Sequence, residues 1–157
     1  MEKLTAKNKN MSNKKTIGYT TGVFDLFHVG HLNILKQASE KCDYLIVGVT
    51  SDETVYQYKK RYPIIPLQER IDIVQSIVYT DRVVVQQEMD KLRAYELYKF
   101  DKLFHGNDWK DSKMYNDIEI KLKAKGVEII YFEYTKGTST SELKLQIFNE
   151  INKNENS

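Results

Sequence analysis

The chain has 157 residues, 41% of them hydrophobic, which is one domain's length with enough apolar material for a core. Its 24 basic residues outnumber 22 acids, but Lys3, Lys7, Lys9, Lys14 and Lys15 all fall in the first fifteen positions beside a single acid, Glu2. The rest of the chain is slightly acidic and lacks the basic stripe that a polynucleotide partner requires. The single cysteine, Cys42, excludes an internal disulfide and a Cys-rich zinc site. No run approaches the roughly 20 apolar residues of a membrane span, and the N-terminus lacks the apolar core of a signal peptide. A cytoplasmic protein with no nucleic-acid and no membrane partner is expected.

Residues 1–15 are rich in Lys, Asn and Ser without apolar periodicity and read as a disordered tail, residues 16–150 as the folded domain, and residues 151–157 as a frayed end. A β-branched run at 17–21 closes on Gly22, and Leu32, Leu35 and Ala38 then recur at helical spacing. Residues 44–49 are apolar at consecutive positions, as in a parallel strand buried on both faces. A polar segment holding Lys59, Lys60 and Arg61 leads to a helix opened near Pro66, with Ile71, Val74, Ile77 and Val78 as its inward stripe. Residues 82–85 predict a third strand, 89–98 a weaker helix and 102–105 a fourth strand. A helix with Tyr115, Ile118 and Leu122 on one side is stopped by Gly126, and residues 128–132 form a fifth strand. Ser139 and Glu142 stand at capping-box spacing before a last helix that turns Leu143, Ile147 and Phe148 inward. Strands alternating with helices predict a single doubly wound, Rossmann-like α/β domain on a five-stranded parallel sheet.

In such a sheet the ligand binds beyond the carboxyl ends of the strands. Four segments meet there: residues 20–31, the Lys59/Arg61 segment, residues 105–109 and residues 134–140. None carries the G-x-G-x-x-G of a dinucleotide site or the G-x-x-x-x-G-K-[ST] of a P-loop. His28 and His31 are three apart at a helix entrance with Gly30 between them, so two imidazoles, backbone N–H groups and the helix dipole converge on one spot. That is an anion site suited to phosphoryl chemistry. Two plainer readings compete. One makes the histidines a helix cap or packed rings. The other makes them zinc ligands, completed by Cys42, His105 or a carboxylate, although Cys42 belongs at the far end of its strand.

The run Gly22-Val23-Phe24-Asp25-Leu26-Phe27-His28-Val29-Gly30-His31 resembles the H-x-G-H signature of the nucleotidyltransferase superfamily. Gly137-Thr138-Ser139-Thr140 is similar to that superfamily's second, Ser/Thr-rich phosphate motif. The likeness runs from about Ile17 to Leu145 and includes residues 43–49, Gln68-Glu69-Arg70 and Gly106-Asn107-Asp108-Trp109. The Asp-Leu-Phe-His stretch resembles the cytidylyltransferases, and among the small single-domain members those acting on glycerol 3-phosphate.

The resemblance implies that the phosphate of sn-glycerol 3-phosphate attacks the α-phosphorus of CTP in line, with Mg²⁺ accompanying the nucleotide. CDP-glycerol and pyrophosphate result without a covalent enzyme intermediate. It implies catalytic roles for His28, His31 and Lys59, with backbone contacts to the nucleotide from Val23 and Phe24. Gly106, Asp108 and Trp109 fall on the nucleoside side, and Tyr134, Thr135, Lys136, Gly137, Thr138, Ser139, Thr140 and Ser141 wrap the triphosphate. Asp25, Lys59, Arg61, Arg70 and Lys91 fall to the acceptor, with Asp25 also a candidate to assist Mg²⁺ or orient a histidine. No resident metal is implied, and a homodimer is. Tyr134 and Val78 stand where the family commonly has arginine, with Lys136 and Arg82 as expected compensations. Alternatives are transfer to phosphoethanolamine, phosphocholine or another polyol phosphate, adenylyl transfer, and a nucleotide-binding module without turnover.

Overall fold

The computed structural model describes residues 14–106 and 113–155. Five strands, β1 (Ile17–Gly22), β2 (Tyr44–Thr50), β3 (Arg82–Gln86), β4 (Lys102–Gly106) and β5 (Glu128–Phe132), pair in parallel in the order β3-β2-β1-β4-β5. The helices are α1 (Val29–Glu40), α2 (Asp52–Lys59), α3 (Leu67–Ser76), α4 (Lys91–Tyr98), α5 (Lys113–Ala124) and α6 (Thr140–Glu155). This is the doubly wound parallel sheet that the strand runs predict.

β2 explains the layering. Leu45, Val47 and Val49 pack toward Leu35 and Ala38 of α1 and Val74 of α3, while Ile46 joins Ala94 of α4, Leu122 of α5 and Leu103 on the opposite face. A strand with helices on both sides can afford no polar face, hence its unbroken apolar run. Crossovers leave β1 toward β2 through α1 and return to β4 through α4. The strand order therefore reverses between β1 and β4, and the crevice at their carboxyl ends is the place this topology reserves for a ligand. Gly126, at φ +86°, ends α5 in a left-handed conformation that costs glycine little.

Three elements depart from expectation. α2 was not foreseen: Asp52–Lys59 buries only Thr54 and Val55 and is started by the Ser51 hydroxyl accepting from Thr54 N–H, so capping replaces the apolar stripe that periodicity seeks. α3 ends at Ser76 with Pro66 as its N-cap, leaving Val78 beyond the helix and exposed. α6 runs through Glu155 instead of fraying from Ile151, and none of its residues is fully buried. Ile147 and Phe148 face solvent, and Leu143 is only partly covered. Among the described residues no helix is long and apolar enough to cross a membrane.

Candidate active site

The turn from β1 into α1 is wound tightly, with Phe24 at φ +56° and Leu26 at φ +48°. Bulky side chains adopt this left-handed region only where surrounding structure compels it. Here the Phe24 ring is buried against the core and flanked by Phe27 and His31. The turn delivers His28 to the N-cap of α1. His28 Nδ1 accepts from Gly30 N–H at 3.0 Å, and His31 Nδ1 accepts from His28 N–H at 3.2 Å, a reciprocal box built from two imidazoles.

The cap has a chemical consequence. With each Nδ1 accepting, the neutral ring carries its proton on Nε2, so both histidines present an N–H donor away from the backbone. Burial lowers the His28 pKa, and burial followed by the neighbouring His28 pushes His31 down to about 3. The rings stack with centroids 3.9 Å apart. Gly30 is required by this arrangement: a Cβ there would lie 2.8 Å from His28 Cε1. The plainer helix-cap reading is thus correct as far as it goes, and the capping bonds are what aim the donors.

The second motif folds over this turn. Thr135 Oγ1 accepts from Asn33 Nδ2 of α1 at 3.0 Å, and Thr138 O lies near Gly30. Gly137 turns at φ +81°, and Ser139 Oγ accepts from Glu142 N–H to start α6. Thr140 Oγ1 donates to Asp25 O at 2.9 Å and lies 3.4 Å from His28 Nε2. Lys136 is exposed. Tyr134 is also exposed, with its hydroxyl close over Gly106.

An open cavity of about 170 Å³ lies beside these groups. Val23, Phe24, Asp25 and His31 line it from the β1–α1 turn and the start of α1, Thr140, Ser141 and Lys144 from α6, and Lys59, Arg61 and Tyr62 from the end of α2 and the loop after it. Lys59 ends α2, the helix that sequence periodicity missed, and so reaches the cavity from a rigid element.

Three residues assigned to the acceptor have other partners. Arg70 is wholly buried. Its Nε donates to Ile65 O, its Nη1 to Val23 O and Thr50 O, and its Nη2 to Asp52, so the guanidinium staples the turn after β1, β2, α2 and the 60–66 loop together. The Asp25 carboxylate accepts from Ile64 N–H and Ile65 N–H, each at 2.9 Å, and pairs with Lys144 at 3.1 Å. Burial alone would raise its pKa, but these donors outweigh burial and hold it below the usual carboxylate value. Lys91 is 2% exposed, outside the cavity, with Nζ donating to Thr21 Oγ1 at 2.8 Å. Arg82 opens β3 at the opposite end of the sheet, over the Tyr98 ring, and compensates for no missing arginine. Asp108 and Trp109 lie outside the described residues.

Burial of Lys91, opposed by Asp90, lowers its pKa from 10.5 to about 7. Between those values the unfolded chain holds a proton that the folded chain has released, so stability should climb as pH rises through that window. Lys91→Met abolishes the climb. Denaturant melts at about pH 7 and about pH 9.5 should show the unaltered protein gaining stability relative to the variant; parallel pH responses would mean that the amine stays charged in the fold. His105, beside Lys91, is also buried, pushed down to about 3 by burial and then by that lysine, and it hydrogen-bonds Tyr115.

Among the described residues no group of three or more His, Cys, Asp or Glu is placed to hold a metal ion. The zinc reading fails on geometry: His28 and His31 give their Nδ1 atoms to the cap, and Cys42 precedes β2 at the amino end of the sheet. Nor does Asp25 suit Mg²⁺, since its oxygens are engaged by two N–H groups and an ammonium. Any Mg²⁺ would therefore be carried by the triphosphate and water.

An H-x-G-H turn with paired N–H donors, set at the switch point of a doubly wound sheet, defines a nucleotidyltransferase. Residues 19–155 match the cytidylyltransferase-like family, and the chain belongs to that family. It is 32% identical over 137 residues to a glycerol-3-phosphate cytidylyltransferase of Staphylococcus aureus, covering 86% of this chain and 96% of that one. It is also 38% identical over 126 residues to an FAD synthase of Pyrococcus horikoshii, covering 78% and 84%. Bifunctional HldE proteins match as well, that of Granulibacter bethesdensis at 31% over 133 residues; the chain covers 84% of itself but spans only 27% of that relative's length. A solved lipopolysaccharide core biosynthesis protein from Thermoplasma volcanium superposes with a TM-score of 0.66 at 25% identity, covering 80% of this chain and all of that one.

Proposed function

We propose that the protein transfers a cytidylyl group from CTP to the phosphate of a small alcohol, with sn-glycerol 3-phosphate preferred, releasing pyrophosphate and CDP-glycerol. The observation that carries this reading is one cavity lined both by His31 and the second motif and by Lys59 and Arg61. A triphosphate held by His31 and the second motif meets a phosphate monoester held by Lys59 and Arg61. An acceptor oxygen attacks the α-phosphorus, the bond to the bridging oxygen breaks, and pyrophosphate leaves. Two anions must be brought together for this, so the protein's part is positioning and charge neutralisation. Neutral N–H donors from His28 and His31 stabilise the phosphoryl oxygens, while Lys59 and Arg61 hold the acceptor. The same reading makes the enzyme cytoplasmic and homodimeric, on the strength of the lone Cys42 and of the family resemblance.

Adenylyl transfer is the second reading, favoured by the likeness to FAD synthase. The test is pyrophosphate release with CTP, ATP, UTP and GTP crossed against glycerol, ribitol, ethanolamine and choline phosphates, alongside thermal protection by each nucleotide with Mg²⁺. CTP with sn-glycerol 3-phosphate should give the highest kcat/KM, and CTP should raise Tm where NAD does not. A better kcat/KM for phosphocholine or phosphoethanolamine overturns the acceptor assignment, and equal protection by ATP overturns the base assignment.

A further inference from the structure

We propose that Lys144 is a third acceptor-binding cation, presented to the cavity by Asp25. The proposal rests on the reading above of this cavity as the acceptor site, and it adds a residue outside both sequence motifs. Lys144 lies on α6 one turn after Thr140, which is tied to Asp25 O. Residues four apart on a helix share a face, so the bond that seats the start of α6 also turns Lys144 toward the cavity it lines with Lys59, Arg61 and His31.

The anchor is rigid. Asp25 is 3% exposed, and its two oxygens are held by Ile64 N–H and Ile65 N–H, so the carboxylate does not swing. It places the ammonium of Lys144 from one side and the loop carrying Arg61 from the other. An ammonium has three N–H donors; Asp25 engages Nζ at 3.1 Å, and a phosphate oxygen can take another.

Charge points the same way. Lys59, Arg61 and Lys144 share the cavity lining with one carboxylate, Asp25, a net charge of +2 that matches the roughly −1.5 to −2 of a phosphate monoester at neutral pH. Without Lys144, the net charge halves and the acceptor meets the uncovered negative charge of Asp25. Both effects weaken acceptor binding, and Lys144 makes its ion pair with Asp25 rather than with a residue assigned to the triphosphate.

The experiment compares Lys144→Met and Lys144→Arg with the unaltered full chain, reading KM for sn-glycerol 3-phosphate, KM for CTP, calorimetric affinity for sn-glycerol 3-phosphate, and Tm. In Lys144→Met the acceptor KM should rise about tenfold, the usual weight of one charge-assisted hydrogen bond, with the calorimetric affinity falling in step and the KM for CTP within about twofold of normal. Lys144→Arg should recover most of the loss. An unchanged acceptor KM, or equal rises in both KM values accompanied by a lower Tm, would show that the ion pair only supports the fold and would overturn the proposal. If the unaltered protein neither binds nor turns over any alcohol phosphate, the acceptor reading itself falls and Lys144 with it; if it does both and Lys144→Met matches it, only the Lys144 proposal falls.

Discussion

Replacing His28 or His31 with alanine should lower kcat/KM by on the order of a hundredfold or more, the usual cost of losing one preorganised donor to transition-state charge. The geometry that predicts this also complicates the test, because the two rings cap α1. Loss of an N-cap costs about 1 kcal/mol on its own, so a weakened fold could pass for lost catalysis. His28→Asn separates the two effects. Asparagine is among the best N-caps and can accept from Gly30 N–H, but it supplies no Nε2–H in the place of the ring. Its Tm should stay near normal while kcat/KM falls as far as in His28→Ala. Normal turnover in His28→Asn would reduce the imidazole to a cap. With His31 held at about 3 by burial and then by the neighbouring His28, that ring does not charge as the free enzyme passes from pH 8 to pH 6. An acid-side loss of kcat/KM in that range should therefore persist in His31→Ala, and its disappearance there would assign it to His31.

The sheet was legible because its strands are short, apolar and separated by turn residues, and β2 in particular has no polar position within the strand core. α2 was not legible, since an eight-residue helix with two buried side chains has almost no periodic signal. The last helix illustrates the opposite limit. The spacing of Leu143, Ile147 and Phe148 identifies an apolar face correctly but says nothing of what packs on it, and the structure leaves Ile147 and Phe148 exposed.

At the site, the residues legible from sequence are those adjacent to each other in the chain. His28, Gly30 and His31 act within one turn, and Gly137 to Ser141 within one loop, so spacing alone brings them together. For Asp25, Arg70 and Lys91 the partners were not legible, because a charged residue's type says only that it will find one, whereas Lys59 and Arg61 line the cavity. Asp25 meets Ile64, Ile65 and Lys144 across the fold, and Lys91, the first residue of α4, reaches inward to Thr21. Lys144 had one available signal, its four-residue spacing from Thr140 on the helix that the capping box announces.

Arg70→Met should destabilise the fold by about 3 kcal/mol or more, the cost expected when a buried charged group with several hydrogen bonds is removed. Arg70 is 0% exposed and donates to three backbone carbonyls, Val23 O at 2.7 Å, Thr50 O at 2.8 Å and Ile65 O at 2.9 Å. Methionine fills much of the volume but leaves those carbonyls without their donor in a region closed to water. Asp52, the remaining partner, is partly exposed and can turn to solvent, so most of the loss comes from the carbonyls. For a chain of this length each kcal/mol lowers Tm by roughly 2–4 °C, which places the variant roughly 6–12 °C below the parent. Arg70→Lys should recover little, since a single ammonium cannot span carbonyls on the turn after β1, β2 and the 60–66 loop as the planar fork does. Function should fail with the fold: Val23 lines the cavity and Ile65 follows the segment that carries Arg61, Tyr62 and Pro63 to it, so losing the staple should impair CTP and acceptor together. If Arg70→Lys instead melts at the parent's temperature and raises only the acceptor KM, the residue serves the acceptor, as the motif resemblance implies, and the staple contributes little to stability.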